Sequence, residues 1–147
     1  MSRARDASRF LLAAFLLLAG AAHLVNVEEF LGQVPTFLPL REAIVVVSGL
    51  VEIALAVGLV ALRGERLARL GCVIALFFVA VFPGNVWQLV NGSDSFGLDT
   101  STARVIRLFF QPLLIAWALW STGAWNWWRA RRTPSHPLRG RHSYRLS

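Results

Sequence analysis

Long runs of apolar residues alternate with short polar segments along the chain. The four longest runs extend from Phe10 to about Val27, from Ala43 to Leu62, from Leu70 to Val90 and from about Thr102 to Thr122. At a rise of about 1.5 Å per residue, a helix of about 20 residues crosses the roughly 30 Å hydrocarbon layer of a bilayer. A helix also satisfies its own backbone hydrogen bonds in lipid. The pattern therefore predicts four membrane-spanning helices.

The segments that connect these runs are short, so that consecutive helices must be antiparallel neighbours. The predicted fold class is all-α, with four transmembrane helices in an up-down-up-down bundle. We expect residues 10–123 to form this membrane domain, with an N-terminal tail over residues 1–9. The basic segment 124–147 contains Pro134, Pro137 and Gly140 and no hydrophobic periodicity, so it is expected to be a disordered tail.

Composition supports a membrane protein over a nucleic-acid-binding protein. The chain is 56% apolar, against roughly 45–50% for a soluble domain. Its pI of about 11.6 would be compatible with nucleic-acid binding. However, the 15 basic residues are all arginines, and most of them flank the apolar runs. The lipid bilayer is therefore the expected partner, and nucleic acid is not.

Arginine placement predicts the orientation in the membrane. Twelve of the 15 arginines fall before the first run, between the second and third runs, or after the fourth. By the positive-inside rule these regions are cytoplasmic, which puts both termini in the cytoplasm and the protein in the cytoplasmic (inner) membrane. The alternative is that the first run is a signal peptide with a cleavage site at Ala19-Gly20-Ala21.

Polar side chains inside the predicted spans are the candidate functional residues, because each is costly in lipid unless it faces protein or water. Counted along the helices, they all lie in the half of the membrane domain away from the cytoplasm, and every helix contributes. We predict an outward-opening ligand pocket that ends near Glu52, with Arg107 as the ionic partner of Glu52. The seven candidate residues are His23, Ser48, Glu52, Asn85, Gln88, Arg107 and Gln111.

Each candidate also has a purely structural interpretation. Glu52 is either a neutral or paired carboxyl that holds helices together or a ligand or proton site. Arg107 is long enough to extend to the membrane surface, and Asn85 could bond carbonyls that Pro83 releases in a kinked helix. One His and one Glu do not make a metal site, so no metal is expected. The lone Cys72 excludes an intrachain disulfide.

The connection before the second span has an amphipathic character of its own. Its apolar residues alternate with Glu29, Gln33, Pro35 and Pro39. This pattern suits a segment that lies on the bilayer surface over the pocket mouth, either as an interfacial anchor or as a lid.

Several short motifs resemble those of the DoxX-like membrane proteins, a group that includes DoxX, DoxD and the methylamine-utilisation protein MauE. The resemblance runs from about Ala19 to Trp120. It rests on Ala19-Gly20 with His23, Val34-Pro35 and Leu38-Pro39, Ser48-Gly49 with Glu52-Ile53, and Val81-Phe82-Pro83-Gly84-Asn85. Many relatives have Phe after the histidine and Ala before the asparagine, where this chain has Leu24 and Gly84.

The resemblance implies a four-helix bacterial membrane protein associated with redox processes. DoxD-type subunits belong to thiosulfate:quinone oxidoreductases, and MauE supports maturation of a disulfide-rich dehydrogenase. Kinship of fold does not transfer chemistry. With a lone cysteine, any redox chemistry would belong to a membrane or periplasmic partner or to a bound quinone.

Three functions remain open from the sequence. The first is an auxiliary or ligand-binding subunit of a membrane redox system, the second a small proton-coupled transporter, and the third a structural or assembly protein. Four spans are few for a transporter unless it forms a homo-oligomer, and no internal repeat is evident. The chain has no self-contained catalytic motif. The sequence therefore leaves the catalytic residues, the cofactor and any enzymatic activity open.

Overall fold

The computed structural model describes residues 2–92 and 100–132, apart from the side chain of Ser101. This part of the chain folds into helices joined by short turns. In chain order they are α1 (Arg3–Val25), α2 (Val27–Leu31), α3 (Arg41–Ala61), α4 (Gly64–Asn91), α5 (Ser101–Ser121) and α6 (Ala124–Arg132). No strand occurs among these residues, which confirms the all-α fold class.

Four of the helices, α1, α3, α4 and α5, are long and apolar enough to cross a membrane. Large apolar side chains cover their outer surfaces; Leu18, Leu76 and Phe109, for example, are 67–72% exposed. A soluble domain would bury such side chains, whereas lipid solvates them. The predicted four-span membrane protein is confirmed in this respect.

The spanning helices are arranged as a ring in which α1 contacts α3 and α5, and α4 contacts α3 and α5. Among the described residues, the backbones of the diagonal pairs α1–α4 and α3–α5 do not approach each other. The backbones of α1 and α3 approach closely at Gly20, where an added Cβ would lie 2.6 Å from the carbonyl oxygen of Gly49. Glycine is needed there because any side chain would separate the two backbones.

We call the two ends of the bundle the α2 end and the α6 end, after the short helices that they carry. Near the α6 end the ring is filled by a core of buried apolar side chains. Its fully buried members come from all four spans and are Leu12, Leu16, Leu59, Leu67, Ile74 and Ala118. The space between the helices that remains unfilled therefore lies toward the α2 end.

Both predicted tails contain helical structure that the apolar pattern did not reveal. Helix α1 begins at Arg3, and Arg9 is only 2% exposed because it packs against the α3–α4 turn, with Nη1 3.4 Å from the Leu62 carbonyl oxygen. The expectation of a disordered tail is wrong for Ala124–Arg132, which forms α6. Residues 133–147 lie outside the described residues.

Helix α6 forms because the chain turns sharply after α5 and packs back onto α4. Gly123 has φ +75°, a left-handed conformation that ends a helix and favours glycine. Ala124 is completely buried beside Gly71 of α4. Arg131 of α6 forms an ion pair with Glu65 at the start of α4. A tertiary contact, rather than hydrophobic periodicity, thus determines this helix.

Residues 27–40, which we call the cap segment, close the α2 end of the bundle. Arg41 holds the segment by donating from Nε to the Val34 carbonyl oxygen at 3.1 Å. The segment reaches α4, where Phe37 packs edge-on against Trp87 with ring centroids 5.6 Å apart. The carbonyl oxygen of Gln33 comes so near Gly84 that a Cβ there would lie 2.7 Å from it. The cap segment therefore covers the unfilled half of the ring.

Candidate functional site

A cavity of about 660 Å³ occupies the unfilled half of the bundle beneath the cap segment. All four spanning helices contribute to its walls. Six of the seven candidate residues line it, namely His23, Ser48, Glu52, Asn85, Arg107 and Gln111. The rest of the wall is largely aliphatic and aromatic, with Phe30, Val45, Phe78, Val81 and Phe110 among its members.

Glu52 of α3 meets His23 of α1 across the closest helix pair. The His23 Nδ1 atom lies 3.0 Å from the Glu52 Oε2 atom and 2.8 Å from the carbonyl oxygen of Ala19. The geometry is well aligned for a hydrogen bond to Ala19, whereas Oε2 has no well-aligned donor within the described residues despite the short distance. The imidazole ring also stacks on Phe30 at a centroid distance of 3.7 Å. The bond to Ala19 and the stacking on Phe30 thus hold the His23 ring beside the Glu52 side chain.

Arg107 does not pair with Glu52, so this part of the sequence interpretation is wrong. Its side chain lines the cavity from α5, but within the described residues it forms no ion pair or hydrogen bond. The sequence shows how deep a residue lies along its helix. It does not show how that helix is rotated relative to its neighbours. The crossing at Gly20 and Gly49 turns Glu52 toward α1 instead of α5.

Two amides link α4 to α5 at the wall of the cavity. Asn85 Nδ2 donates to Gln111 Oε1 at 2.8 Å, and Gln111 Nε2 donates to the Phe78 carbonyl oxygen at 2.6 Å. Proline at position 83 removes the helical donor of the Val79 carbonyl oxygen, one residue after Phe78. Gln111 therefore bonds a carbonyl next to the interrupted turn, and the Asn85 amide bonds Gln111 rather than a carbonyl.

Gln88 and Gln33 differ most from the sequence interpretation. Gln88 is 1% exposed but does not line the cavity, so it is not part of the site. Gln33 of the cap segment does line it, and its Nε2 atom is buried without a hydrogen-bond partner in the described part of the chain. Its position in a connecting segment gave no hydropathy signal. The alternation of apolar and polar residues there was the one available indication.

The chemistry of the site follows from its donors and its apolar walls. Among the described residues, the buried Gln33 Nε2 atom has no hydrogen-bond acceptor, and a buried donor is costly when it is left unpaired. The half-buried Arg107 guanidinium also faces the cavity without an acceptor in this part of the chain. The aliphatic and aromatic wall would accommodate a hydrocarbon body. No group of three or more His, Cys, Asp or Glu side chains that could hold a metal ion occurs among the described residues.

The bundle and its cavity define the class of protein as a multi-pass, four-helix membrane protein with a polar cavity between its spans. Residues 12–122 match the family described as a domain of unknown function, DUF8561. The chain belongs to this family, and the match includes every residue that lines the cavity. No curated protein and no solved structure matches the chain.

Proposed function

We propose that this protein is a membrane-embedded ligand-binding subunit that serves a redox partner. Its ligand is an amphipathic small molecule, with a head that accepts hydrogen bonds and a hydrocarbon body. A quinone fits this description, because its carbonyl oxygens are acceptors and its ring and tail are apolar. The single observation that carries the proposal is the convergence of polar side chains from all four spans on one largely apolar cavity.

The redox association rests on the resemblance to DoxX-like proteins in the residues around His23, Glu52 and Asn85. We propose that the chain is a distant relative of that group. Cys72 is the lone cysteine of the chain, so the protein alone cannot cycle between a dithiol and a disulfide. Electron transfer would therefore belong to the ligand or to a membrane or periplasmic partner.

We further propose that the protein lies in the cytoplasmic membrane with its α6 end in the cytoplasm. The exposed arginines near that end, which include Arg63, Arg66, Arg69 and Arg129, support this orientation. The exposed tryptophans Trp125 and Trp128 at the same end suit a membrane interface. The cavity and the cap segment would then face the periplasmic side.

The experiment that tests the binding function is the extraction of co-purified molecules. The protein is isolated in lipid nanodiscs, and quinones and other amphiphiles in the organic extract are quantified per mole of protein by mass spectrometry. We expect an amphiphile enriched above its level in empty nanodiscs. Arg107→Gln should lower this enrichment, because it removes from the cavity wall a guanidinium that has no acceptor among the residues the structure describes.

The matched control is Arg66→Gln, the same chemical change at an exposed position near the α6 end. It should leave the enrichment unchanged. No enrichment in the wild-type protein, or equal losses in both variants, would contradict the proposed function.

A proton-coupled transporter is the second candidate, and the contact between His23 and Glu52 favours it. The two groups lie 3.0 Å apart inside the membrane domain, where they could exchange a proton. This candidate predicts ligand uptake into proteoliposomes that depends on a pH gradient and is abolished by Glu52→Gln. Ligand binding without gradient-dependent uptake would favour the binding subunit.

A further inference from the structure

The contact between α1 and α5, which we call the α1–α5 seam, is closed near the α6 end. The Trp117 indole nitrogen of α5 donates to the Ser8 hydroxyl of α1 at 2.7 Å. The Trp117 ring also packs against Phe15, with centroids 6.2 Å apart. These contacts close the part of the seam nearer the α6 end, over about two turns of α1.

From Phe15 toward the α2 end, the cavity reaches the outer surface of the bundle. Phe15, Ile106 and Phe110 line the cavity, yet they are 41%, 52% and 56% exposed. A side chain that is both on a cavity wall and on the outer surface marks an opening between the two. Since these residues lie in spanning helices, the opening faces hydrocarbon rather than water.

The polar and apolar parts of the cavity are separated along this seam. His23 and Arg107 line it nearer the α2 end, and Phe15 and Phe110 line it nearer the middle of the spans. A bound amphiphile whose head contacts His23 and Arg107 would thus have its apolar part beside Phe15 and Phe110. From there a chain can extend directly between α1 and α5.

On the α3–α4 side of the ring, Ile44, Ala80 and Pro83 also line the cavity and are exposed. The cap segment partly covers this side, because Gln33 contacts Gly84 of α4 and Phe37 packs against Trp87 of α4. A second depression of about 390 Å³ lies on the outer face of α4 and α5. Gln111 separates it from the cavity, and its amide bonds to Asn85 and the Phe78 carbonyl hold that wall closed.

We infer that the ligand reaches the cavity sideways from the bilayer, and that its hydrocarbon tail leaves between α1 and α5 while its head lies near His23 and Arg107. This inference rests on the proposed binding function and narrows the ligand to long-tailed membrane amphiphiles. A small water-soluble solute would need no lateral opening. We call this opening the window; it is bounded by Phe15 and Ala19 of α1 and by Ala103, Ile106 and Phe110 of α5.

The test is photolabelling in nanodiscs with a benzoquinone that carries a decyl tail ending in a diazirine. Labelled residues are mapped by peptide mass spectrometry, with and without an excess of the unmodified decyl quinone as competitor. We expect labelling that the competitor suppresses at window residues of α1 and α5, such as Phe15, Ile106 and Phe110. Wild-type protein suffices for this mapping, so the result does not depend on the folding of a variant.

Three alanine-to-tryptophan substitutions then distinguish the routes. Ala103→Trp places an indole in the window and should lower the suppressible labelling by about tenfold or more, as expected for overpacking a binding site. Ala80→Trp places the same bulk on the α4 wall of the cavity, one turn from Gly84, and should lower the labelling less than Ala103→Trp does. Ala116→Trp is the control, since it alters an exposed position of α5 outside the cavity, and it should leave the labelling close to the wild-type level.

The outcomes separate the two claims. Suppressible labelling on Val79, Phe82 and Phe109 of the outer depression, or on Ile44 and Pro83 beside the α3–α4 contact, would overturn the lateral route but keep the binding function. A loss of labelling in Ala80→Trp but not in Ala103→Trp would do the same. Labelling that the competitor does not suppress at any position would overturn both claims for quinones.

Discussion

Glu52 illustrates how a single residue can be identified from sequence while its partner cannot. A carboxyl in the middle of an apolar span is conspicuous, and the structure places it on the cavity wall. Its contact is with His23, 29 positions earlier in the chain, and not with Arg107. Which residue a side chain meets depends on the crossing of α1 and α3, and that crossing is determined by glycines whose effect is invisible to hydropathy.

A double-mutant cycle tests the His23–Glu52 contact. Glu52→Ala, His23→Ala and the double variant should show a coupling of about 0.5–3 kcal/mol in the free energy of unfolding, as is usual for contacting polar residues. The same cycle with Arg107→Ala should give a coupling near zero. The free energies are measured by denaturant titration in mixed micelles. Coupling of Glu52 to Arg107 but not to His23 would contradict the described arrangement.

At the scale of helices, close backbone approach determines which spans pair. Added Cβ atoms at Gly20 and Gly49 would lie 2.6 and 2.9 Å from the opposing carbonyl oxygens. At Gly58 the Cβ would also lie 2.9 Å from a neighbour, but that neighbour is the terminal methyl group of Leu70, which can rotate away. Similar distances therefore have different consequences, since a helix backbone moves only with the whole helix.

Alanine substitutions at these glycines provide the corresponding prediction. Gly20→Ala and Gly49→Ala should each lower the free energy of unfolding by about 1–3 kcal/mol, because they force α1 and α3 apart. Gly58→Ala is the matched control and should cost less than either. The measurement is the same micelle titration. A cost at Gly58 equal to or greater than that at Gly20 would show that α1 and α3 do not pack as described.

The apolar runs predicted the ends of α3 and α5 within two residues, because each run had to be long enough to cross the membrane. The helical extensions of α1 back to Arg3 and of α4 back to Gly64, together with the whole of α6, were missed for the converse reason. Their residues are polar or interfacial, and they are helical because they pack on neighbouring elements. Helix α2 was likewise seen as an amphipathic connection and not as a helix.

For the whole molecule, the uneven distribution of polar groups and arginines gives the bundle two distinct ends. The apolar core occupies the α6 end, and the cavity occupies the α2 end. The depth of the polar residues along the helices predicted that every span would contribute polar groups to one cavity. Its lateral opening and the participation of Gln33 were not, because both depend on how the helices diverge and where the cap segment lies.

The proposed orientation predicts which positions a membrane-impermeant maleimide can reach in intact expressing cells. In a background with Cys72→Ala, Thr36→Cys in the cap segment should be labelled without permeabilisation. Arg66→Cys near the α6 end should be labelled only after the cells are opened. Both positions are exposed in the structure, so a difference between them reports the side of the membrane. The reverse pattern would contradict the orientation.

Native mass spectrometry of the purified protein tests most directly whether the cavity is a binding site. The wild-type chain should carry one bound amphiphile, which is released at high collision energy. Ser48→Phe fills the cavity from α3 and should remove this adduct, whereas Ala54→Phe, at an exposed position of the same helix outside the cavity, should keep it. A wild-type spectrum of the bare chain, or an adduct equally abundant in Ser48→Phe, would contradict the account.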